Sequence, residues 1–140
     1  MKKHVIITGS SKGIGRELTL LLLENNFQVY GYARTNSIKH KHFMFTQVDL
    51  SKVGLLDNLV FPKINREDKI YLINNAGEIG MINPIGNKLT NEIIDEININ
   101  AIAPTILCNN IIKTYKNKVK ELNILNISSG AALRPIPSWG

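Results

Sequence analysis

A glycine-rich run near the start of the chain carries the residues with the clearest chemical meaning. Thr8 to Gly15 reads Thr-Gly-Ser-Ser-Lys-Gly-Ile-Gly, with three glycines in the pattern Gly-x-x-x-Gly-x-Gly. At an average glycine usage of about 7%, roughly 0.04 such matches arise by chance in a chain of this length. Glycines permit a tight turn and a close backbone approach to a pyrophosphate, whose charge then rests on a helix amino terminus. The run predicts a dinucleotide-binding loop, with a purely structural strand-to-helix turn as the alternative.

The elements that must position this loop alternate between strands and helices. Helices are predicted from Gly13 to about residue 24, over residues 51–60 with Ser51 as N-cap, and from Thr90 onward. Short runs of apolar, β-branched and aromatic residues predict five strands, at residues 5–7, 27–33, 43–48, 69–73 and 123–127. This alternation predicts an α/β fold of the Rossmann type, a doubly wound parallel sheet with right-handed crossovers. We expect the strand order 3-2-1-4-5 and a single nucleotide-binding domain over residues 1–140.

A proline interrupts the helical pattern that begins at Thr90. Ile93, Ile94 and Ile97 form an apolar helix face, but Pro104 cannot lie deep inside a helix without removing a hydrogen bond. The sequence therefore predicts a break at residues 98–101 and a second helix over about residues 102–116.

The polar residues that follow the predicted strands resemble those of a known family. The segment Asn74-Asn75-Ala76-Gly77 follows the fourth strand, Asp49 ends the third, and Asn126-Ile127-Ser128-Ser129 follows the fifth. Together with the glycine loop and Asn100, these motifs resemble, in the same order, those of the short-chain dehydrogenase/reductase family. The resemblance covers the whole chain and is greatest to the benzil reductase and sepiapterin reductase branch.

The resemblance implies a role for each matched residue. It assigns catalytic roles to Ser129, which would hold the substrate oxygen, and to Asn100, which would position a proton-relaying water. It assigns a nicotinamide cofactor to residues of the glycine loop, of the second and third strand ends, and of the segment after the fourth strand. These cofactor residues are Gly9, Ser11, Lys12, Gly13, Ile14, Gly15, Arg34, Asp49, Leu50, Asn75, Ala76 and Gly77.

The residues at the end of the second strand favour NADP(H) over NAD(H). NAD sites usually carry an acidic residue there, bonded to the ribose 2′-hydroxyl, whereas this chain has Ala33 followed by Arg34. A guanidinium can pair with a 2′-phosphate in bidentate fashion, and Lys12 adds a second cation on the same side. Family members with this Lys and Arg pair prefer NADPH. The alternative is that Arg34 is a solvated loop residue.

The family resemblance implies a carbonyl reductase whose proton donor is absent from these residues. The family uses a Tyr about thirteen residues after its Ser, with a Lys four residues later, and none of the chain's four tyrosines matches that pattern. We therefore expect a fragment of a longer enzyme that reduces a small-molecule ketone, diketone or pterin side chain. The resemblance implies a homodimer or homotetramer, with Ile106, Leu107 and Ile111 at the contact between subunits. A catalytically inactive nucleotide-binding or interaction module is the alternative function.

Composition favours an ordinary globular protein over other classes. The net charge is +6, but the basic residues are scattered without interleaved aromatic residues, which disfavours a nucleic-acid partner. No apolar run approaches the roughly 20 residues of a membrane span, and the single Cys108 fits a reducing, cytoplasmic setting. His40 and His42 have no third ligand at metal spacing, so no metal site is predicted.

Overall fold

The computed structural model describes residues 1–137 and residue 139. Five strands form one parallel sheet in the order β3-β2-β1-β4-β5, as predicted. The strands and helices, in chain order, are β1 (Lys3–Thr8), α1 (Gly13–Glu24), β2 (Gln28–Ala33), β3 (Phe43–Gln47), β4 (Lys69–Asn74), α2 (Thr90–Ile97), α3 (Ala103–Tyr115) and β5 (Glu121–Asn126). The predicted fold class is confirmed.

Both faces of the sheet are covered, because side chains alternate along each buried strand. In β1, Ile6 belongs to a core that packs against α3, whereas Val5 and Ile7 belong to a second core that packs against α1. All three side chains are at most 1% exposed. The register pairs Val5 with Val29 of β2 and with Tyr71 of β4, so β1 lies at the centre of the sheet.

The segment after β3 differs from its prediction. Residues Val53–Asn58 form a short 3-10 helix rather than an α-helix over 51–60, and Lys52, not Ser51, precedes it without a side-chain cap. The backbone N–H of Ser51 donates instead to Asp49 Oδ1 at 3.0 Å. Ser51 therefore belongs to a turn that holds Asp49, and its prediction as an N-cap is wrong.

At the predicted break before Pro104 the α-helix changes its hydrogen-bonding pattern, but the chain stays helical. Asn98–Ile102 forms a π-helical turn that joins α2 to α3. Pro104 then lies in the first turn of α3, where a missing N–H removes no intrahelical bond.

The expectation that Leu107 and Ile111 form a subunit contact is wrong. Both are fully buried within the chain, in the core beneath α3, and Ile106 is partly buried beside them. These side chains are buried because α3 packs against one face of the sheet and against the 53–58 segment, which lies on that same face.

Candidate functional site

A cleft of about 380 Å³ lies at the carboxyl end of the sheet, between the loops that follow β1, β2, β3 and β4. Every residue predicted to bind the cofactor lines it: Gly9, Ser11, Lys12, Gly13, Ile14, Gly15, Arg34, Asp49, Leu50, Asn75, Ala76 and Gly77. Five further residues line the cleft, and of these only Ala33 entered the sequence analysis, as the position where NAD sites carry an acid; the others are Tyr32, Val48, Glu78 and Ile99. The carboxyl ends of parallel strands are where open α/β sheets bind ligands, particularly where the strand order reverses.

The glycines of the loop are required by conformation and by close packing. Gly9 and Gly13 have φ angles of +70° and +57°, in the left-handed region that favours glycine. A side chain at Gly15 would overlap the carbonyl oxygen of Gly9 and the amide of Asn75. The loop therefore packs directly on the start of α1 and on the segment after β4, and glycine is the residue that fits.

The amino terminus of α1 faces this loop without a side-chain cap. Lys12 occupies the N-cap position in extended conformation, and its side chain makes no capping bond. Among the described residues, the first N–H groups of the twelve-residue helix thus have no side-chain acceptor. Free N–H groups and the positive end of the helix dipole form a site suited to a phosphate group.

Thr8 and Asn75 tie the loop to the segment after β4. Thr8 Oγ1 accepts hydrogen bonds from the backbone N–H groups of Asn75 and Ala76, each at 3.0 Å. Asn75 Nδ2 donates to the carbonyl oxygens of Thr8 at 3.0 Å and Gly9 at 3.3 Å. Thr8 is only 2% exposed, so it shapes the cleft without lining it. Its place before the first glycine was the available sequence signal for this role.

Two cations and one carboxylate line the cleft, Lys12 before α1, Arg34 after β2 and Asp49 after β3. Lys12 and Arg34 are both exposed, and within the described part of the chain neither forms an ion pair. Burial opposes ionisation of Asp49. Hydrogen bonds from Ser51, together with the charges of Lys52 and Arg34, outweigh that effect and lower the pKa of Asp49. Asp49 is therefore ionised near neutral pH and can accept hydrogen bonds.

Asn100 is bonded to the rim of the cleft and does not line it. Its Nδ2 donates to the Glu78 carbonyl oxygen at 2.6 Å, and its Oδ1 accepts from the Glu78 backbone N–H at 2.8 Å. The side-chain amide thus holds the backbone of Glu78, which does line the cleft. The Asn100 side chain therefore shapes the site through Glu78.

Ser129 also lies outside the cleft lining, after the carboxyl end of β5. It precedes the 3-10 turn Gly130–Ala132, and its Oγ accepts a hydrogen bond from the Ala131 N–H at 3.2 Å. The hydroxyl is exposed and keeps its own proton for donation. The structure therefore brings the predicted cofactor residues together but places the two predicted catalytic side chains at the periphery.

The buried tyrosines are poor proton donors near neutral pH. Burial raises the pKa of Tyr30 and of Tyr115, and burial together with Tyr30 raises that of Tyr32 to about 12. General acid–base catalysis requires a shift in the opposite direction, towards the operating pH.

Among residues 1–137 and 139, no cluster of three His, Cys, Asp or Glu side chains could hold a metal ion. In the same part of the chain, every helix is too short or too polar to cross a membrane.

Comparisons with known proteins agree with this geometry. A family model described as short chain dehydrogenase matches residues 3–140. The chain is 32% identical over 151 residues to benzil reductase ((S)-benzoin forming) of Bacillus cereus, covering 99% of this chain and 61% of that protein. It is 31% identical over 140 residues to the Bacillus subtilis (strain 168) protein of the same name, covering 96% and 58%. The chain thus spans about three fifths of the length of these curated relatives.

Solved structures share the fold. A short-chain dehydrogenase/reductase from Burkholderia vietnamiensis superposes with a TM-score of 0.84 at 24% identity, covering 99% of this chain and 68% of that one. ElxO with NADP bound superposes with a TM-score of 0.79 at 26% identity, covering 99% of this chain and 60% of that one. A complex of 4-hydroxyisoleucine dehydrogenase with NADH superposes with a TM-score of 0.77 at 27% identity, covering 98% of this chain and 60% of that one.

Proposed function

Because this chain belongs to the short chain dehydrogenase family, we propose that it forms the cofactor-binding part of an NADPH-dependent oxidoreductase that reduces a carbonyl group to an alcohol. The observation that carries the proposal is the convergence of every predicted cofactor residue on one cleft. The benzil reductases among its relatives point to a ketone or diketone as the substrate class.

The residues present fit a dinucleotide. The uncapped start of α1 offers backbone N–H groups to the pyrophosphate, which can approach closely because Gly9 and Gly13 lack side chains. Asp49 and Leu50, with Ala76 and Ile99, line the part of the cleft that would hold the adenosine. Ionised Asp49 would accept a hydrogen bond from the adenine amino group.

The preference for NADPH rests on charge. Lys12 and Arg34 line the same cleft and are free of ion pairs within the described residues, while Ala33 offers no carboxylate to repel a 2′-phosphate. Similar structures bind NADP in one case and NADH in another, so structural likeness does not choose between them. The cationic wall of this chain favours the phosphorylated cofactor.

When bound in this cleft, the reduced cofactor would supply a hydride, with its two electrons, to the carbonyl carbon of the substrate. The Ser129 hydroxyl is proposed to donate a hydrogen bond to the carbonyl oxygen as negative charge develops there, and that oxygen takes up a proton from solvent to complete the alcohol. Asn100 holds the Glu78 backbone at the rim of the cleft. The raised pKa values of Tyr30, Tyr32 and Tyr115 argue against these residues as the proton donor.

One observation favours a second candidate, a nucleotide-binding module without chemistry. Neither predicted catalytic side chain lines the cleft, since the Asn100 amide bonds to both backbone groups of Glu78 and Ser129 Oγ accepts a hydrogen bond from the Ala131 backbone N–H. Such a module would bind NADPH but oxidise none with any carbonyl compound, whereas the reductase would oxidise NADPH with an aromatic diketone.

The cofactor preference is tested by replacing Arg34 with alanine in the complete protein. A charge-assisted hydrogen bond contributes about 1.5–3 kcal/mol, so we expect NADPH affinity to fall about tenfold to a hundredfold. NADH affinity should stay within about twofold. Calorimetric titration of both cofactors measures this, and Arg66→Ala is the matched control, because Arg66 is exposed beyond the opposite end of the sheet. An unchanged NADPH-to-NADH ratio in Arg34→Ala would contradict the assignment.

The role of Ser129 is tested by Ser129→Ala, with Ser128→Ala as its neighbouring control. Loss of one donor to a developing oxyanion lowers kcat by about a hundredfold to a thousandfold in well-studied enzymes. We expect a decrease of that size for aromatic diketone reduction and an NADPH dissociation constant within about twofold of the parent. Steady-state kinetics and cofactor titration measure the two quantities. Near-parental turnover in Ser129→Ala would remove this residue from the mechanism.

A further inference from the structure

A buried amide connects the cofactor cleft to the segment that carries Ser129. Asn74 ends β4, is 5% exposed, and directly precedes the cleft residues Asn75 to Gly77. Its Nδ2 donates to Asn126 Oδ1 at 2.7 Å, at the last paired position of β5. Its backbone carbonyl accepts the Ile127 N–H at 2.9 Å. Asn74 therefore contacts the two residues that lead into Ser128 and Ser129.

The orientation of this amide is fixed by both of its N–H groups. One is donated to Asn126, and the other points to Cys108 Sγ on α3 at 3.4 Å, within the range of a hydrogen bond to sulfur. The remaining group, Asn74 Oδ1, is buried without a partner among the described residues. An unpartnered buried polar atom destabilises a fold, because it has lost its hydrogen bonds to water and gained none in return.

The sheet alone does not require an amide at this position. The β4–β5 pairing runs from Lys69–Glu121 to Asn74–Asn126 through backbone groups, and the preceding core positions of β4 are apolar. A Leu or Val at position 74 would continue this pattern with no unpartnered oxygen. The destabilising amide is therefore explained by the side-chain bond that it makes beyond the strand, to Asn126.

We propose that Asn74 is a positioning residue, which sets the place of Ser129 relative to the cofactor cleft through Asn126 and Ile127. The proposal rests on the proposed function and adds a residue to it. Asn74 acts on both parts of the site, since its side chain holds the Ser129 segment while its own backbone continues into the cleft wall. The Cys108 thiol completes the network by accepting the second N–H of the amide.

The experiment removes the partner of Asn74 and then restores an acceptor. Asn126→Ala in the complete protein should lower kcat for diketone reduction at least about tenfold and leave the NADPH dissociation constant within about twofold. Asn126→Asp keeps an oxygen acceptor for Asn74 Nδ2 and should recover most of the lost kcat. Asn123→Ala is the matched control, because the side chain of this exposed asparagine on the same strand bonds only to Glu121 among the described residues. It should behave as the parent.

A double-mutant cycle identifies the pair. If Asn74 acts through Asn126, the double variant Asn74→Ala/Asn126→Ala should be no slower than the slower single variant. Multiplying effects would show independent roles and would overturn the proposal, as would parental kcat in Asn126→Ala or no recovery in Asn126→Asp.

A measurement without substrate separates this proposal from the proposed function. Peptide-resolved hydrogen exchange should rise at least about tenfold over residues 127–130 in Asn126→Ala and stay unchanged over the glycine loop. Absent NADPH oxidation by the parent protein would refute the reductase function, while faster exchange over 127–130 would still support the positioning contact. Unchanged exchange over 127–130 would overturn the contact even in an active enzyme.

Discussion

At the carboxyl end of the sheet polar groups face a cleft, whereas at the amino end they are buried against one another. The cleft end holds the uncapped start of α1 and the unpaired cations Lys12 and Arg34, among the described residues. The opposite end holds His4, Tyr30 and Asp68, each less than 9% exposed. A cluster of polar residues is therefore not by itself a sign of a binding site. What distinguishes the cleft is that the start of α1, Lys12 and Arg34 have no side-chain partners among the described residues and can bind a ligand.

The amino-end cluster is closed because each polar group has a partner within it. The Nε2 of His4 lies 3.2 Å from Asp68 Oδ2, and its Nδ1 lies 3.3 Å from the Tyr30 hydroxyl. Asp68 Oδ1 accepts the Lys2 backbone N–H at 2.6 Å. That hydrogen bond, assisted by His4, lowers the pKa of Asp68 although burial opposes ionisation. The cluster ties β1 and β2 to the residue before β4.

We therefore expect substitutions at the carboxyl end of the sheet to affect cofactor binding, and substitutions in the cluster at the amino end to affect only the stability of the fold. The largest effect is expected for Gly15→Ala, because the new methyl group would overlap the Gly9 carbonyl and the Asn75 amide. Overpacking of this kind costs about 1–3 kcal/mol or more and moves backbone, so we expect NADPH affinity to fall at least about a hundredfold.

Titration calorimetry and denaturant unfolding measure both consequences of Gly15→Ala. Gly54→Ala is the control, because a methyl group there meets no atom within 4 Å. Its unfolding free energy should stay within about 0.5 kcal/mol of the parent, with unchanged NADPH affinity. Parental NADPH affinity in Gly15→Ala would mean that the loop does not bind the pyrophosphate.

The two ends also differ in how far the sequence predicts them. The glycine loop and Asn74 to Gly77 are short local motifs next to predictable strands, so their convergence follows from the strand order. The His4–Tyr30–Asp68 cluster joins residues 26 to 64 positions apart, and only the register of β1 with β2 and β4 brings them together. Nothing in the local sequence marks His4 or its partners as members of one cluster.

Residue types alone predict the local structure incorrectly at positions where contacts with the rest of the fold determine the backbone conformation. Ser51 has the residue type of an N-cap, but its N–H is used by Asp49, and the helix that follows is a 3-10 helix. Pro104 predicts a break at residues 98–101, yet a π-helical turn at that place keeps the chain helical from α2 into α3. Asn100 and Ser129 were matched by motif, but their contacts with Glu78 and Ala131 depend on the fold. Their catalytic roles, the cofactor preference and the oligomeric state stay predictions.

A smaller effect, confined to stability, is expected from Asp68→Asn. Because the folded-state pKa of Asp68 is lowered, its ionised form contributes stability that is present above the unfolded pKa of about 3.9 and is lost as pH falls through the folded value. Asp68→Asn should therefore be less stable than the parent at pH 7, and the difference should shrink below about pH 4.

Thermal unfolding between pH 3 and pH 7 measures the Asp68 effect, and Glu67→Gln is the control, because Glu67 is an exposed neighbour. NADPH affinity at pH 7 should equal that of the parent. A stability difference that stays constant down to pH 3 would contradict the ionised Asp68.

The smallest effect is expected for Tyr30→Phe, which removes one hydroxyl from the closed cluster. The ring stays in place, stacked at 6.1 Å on His4, so only the hydrogen bond to His4 Nδ1 is lost. We expect a loss of about 0.5–1.5 kcal/mol in unfolding free energy. Tyr71→Phe, on β4, is the matched control. Because Tyr30 does not line the cleft, NADPH affinity and kcat should match the parent, and a change in either would mean that the two ends of the sheet are coupled.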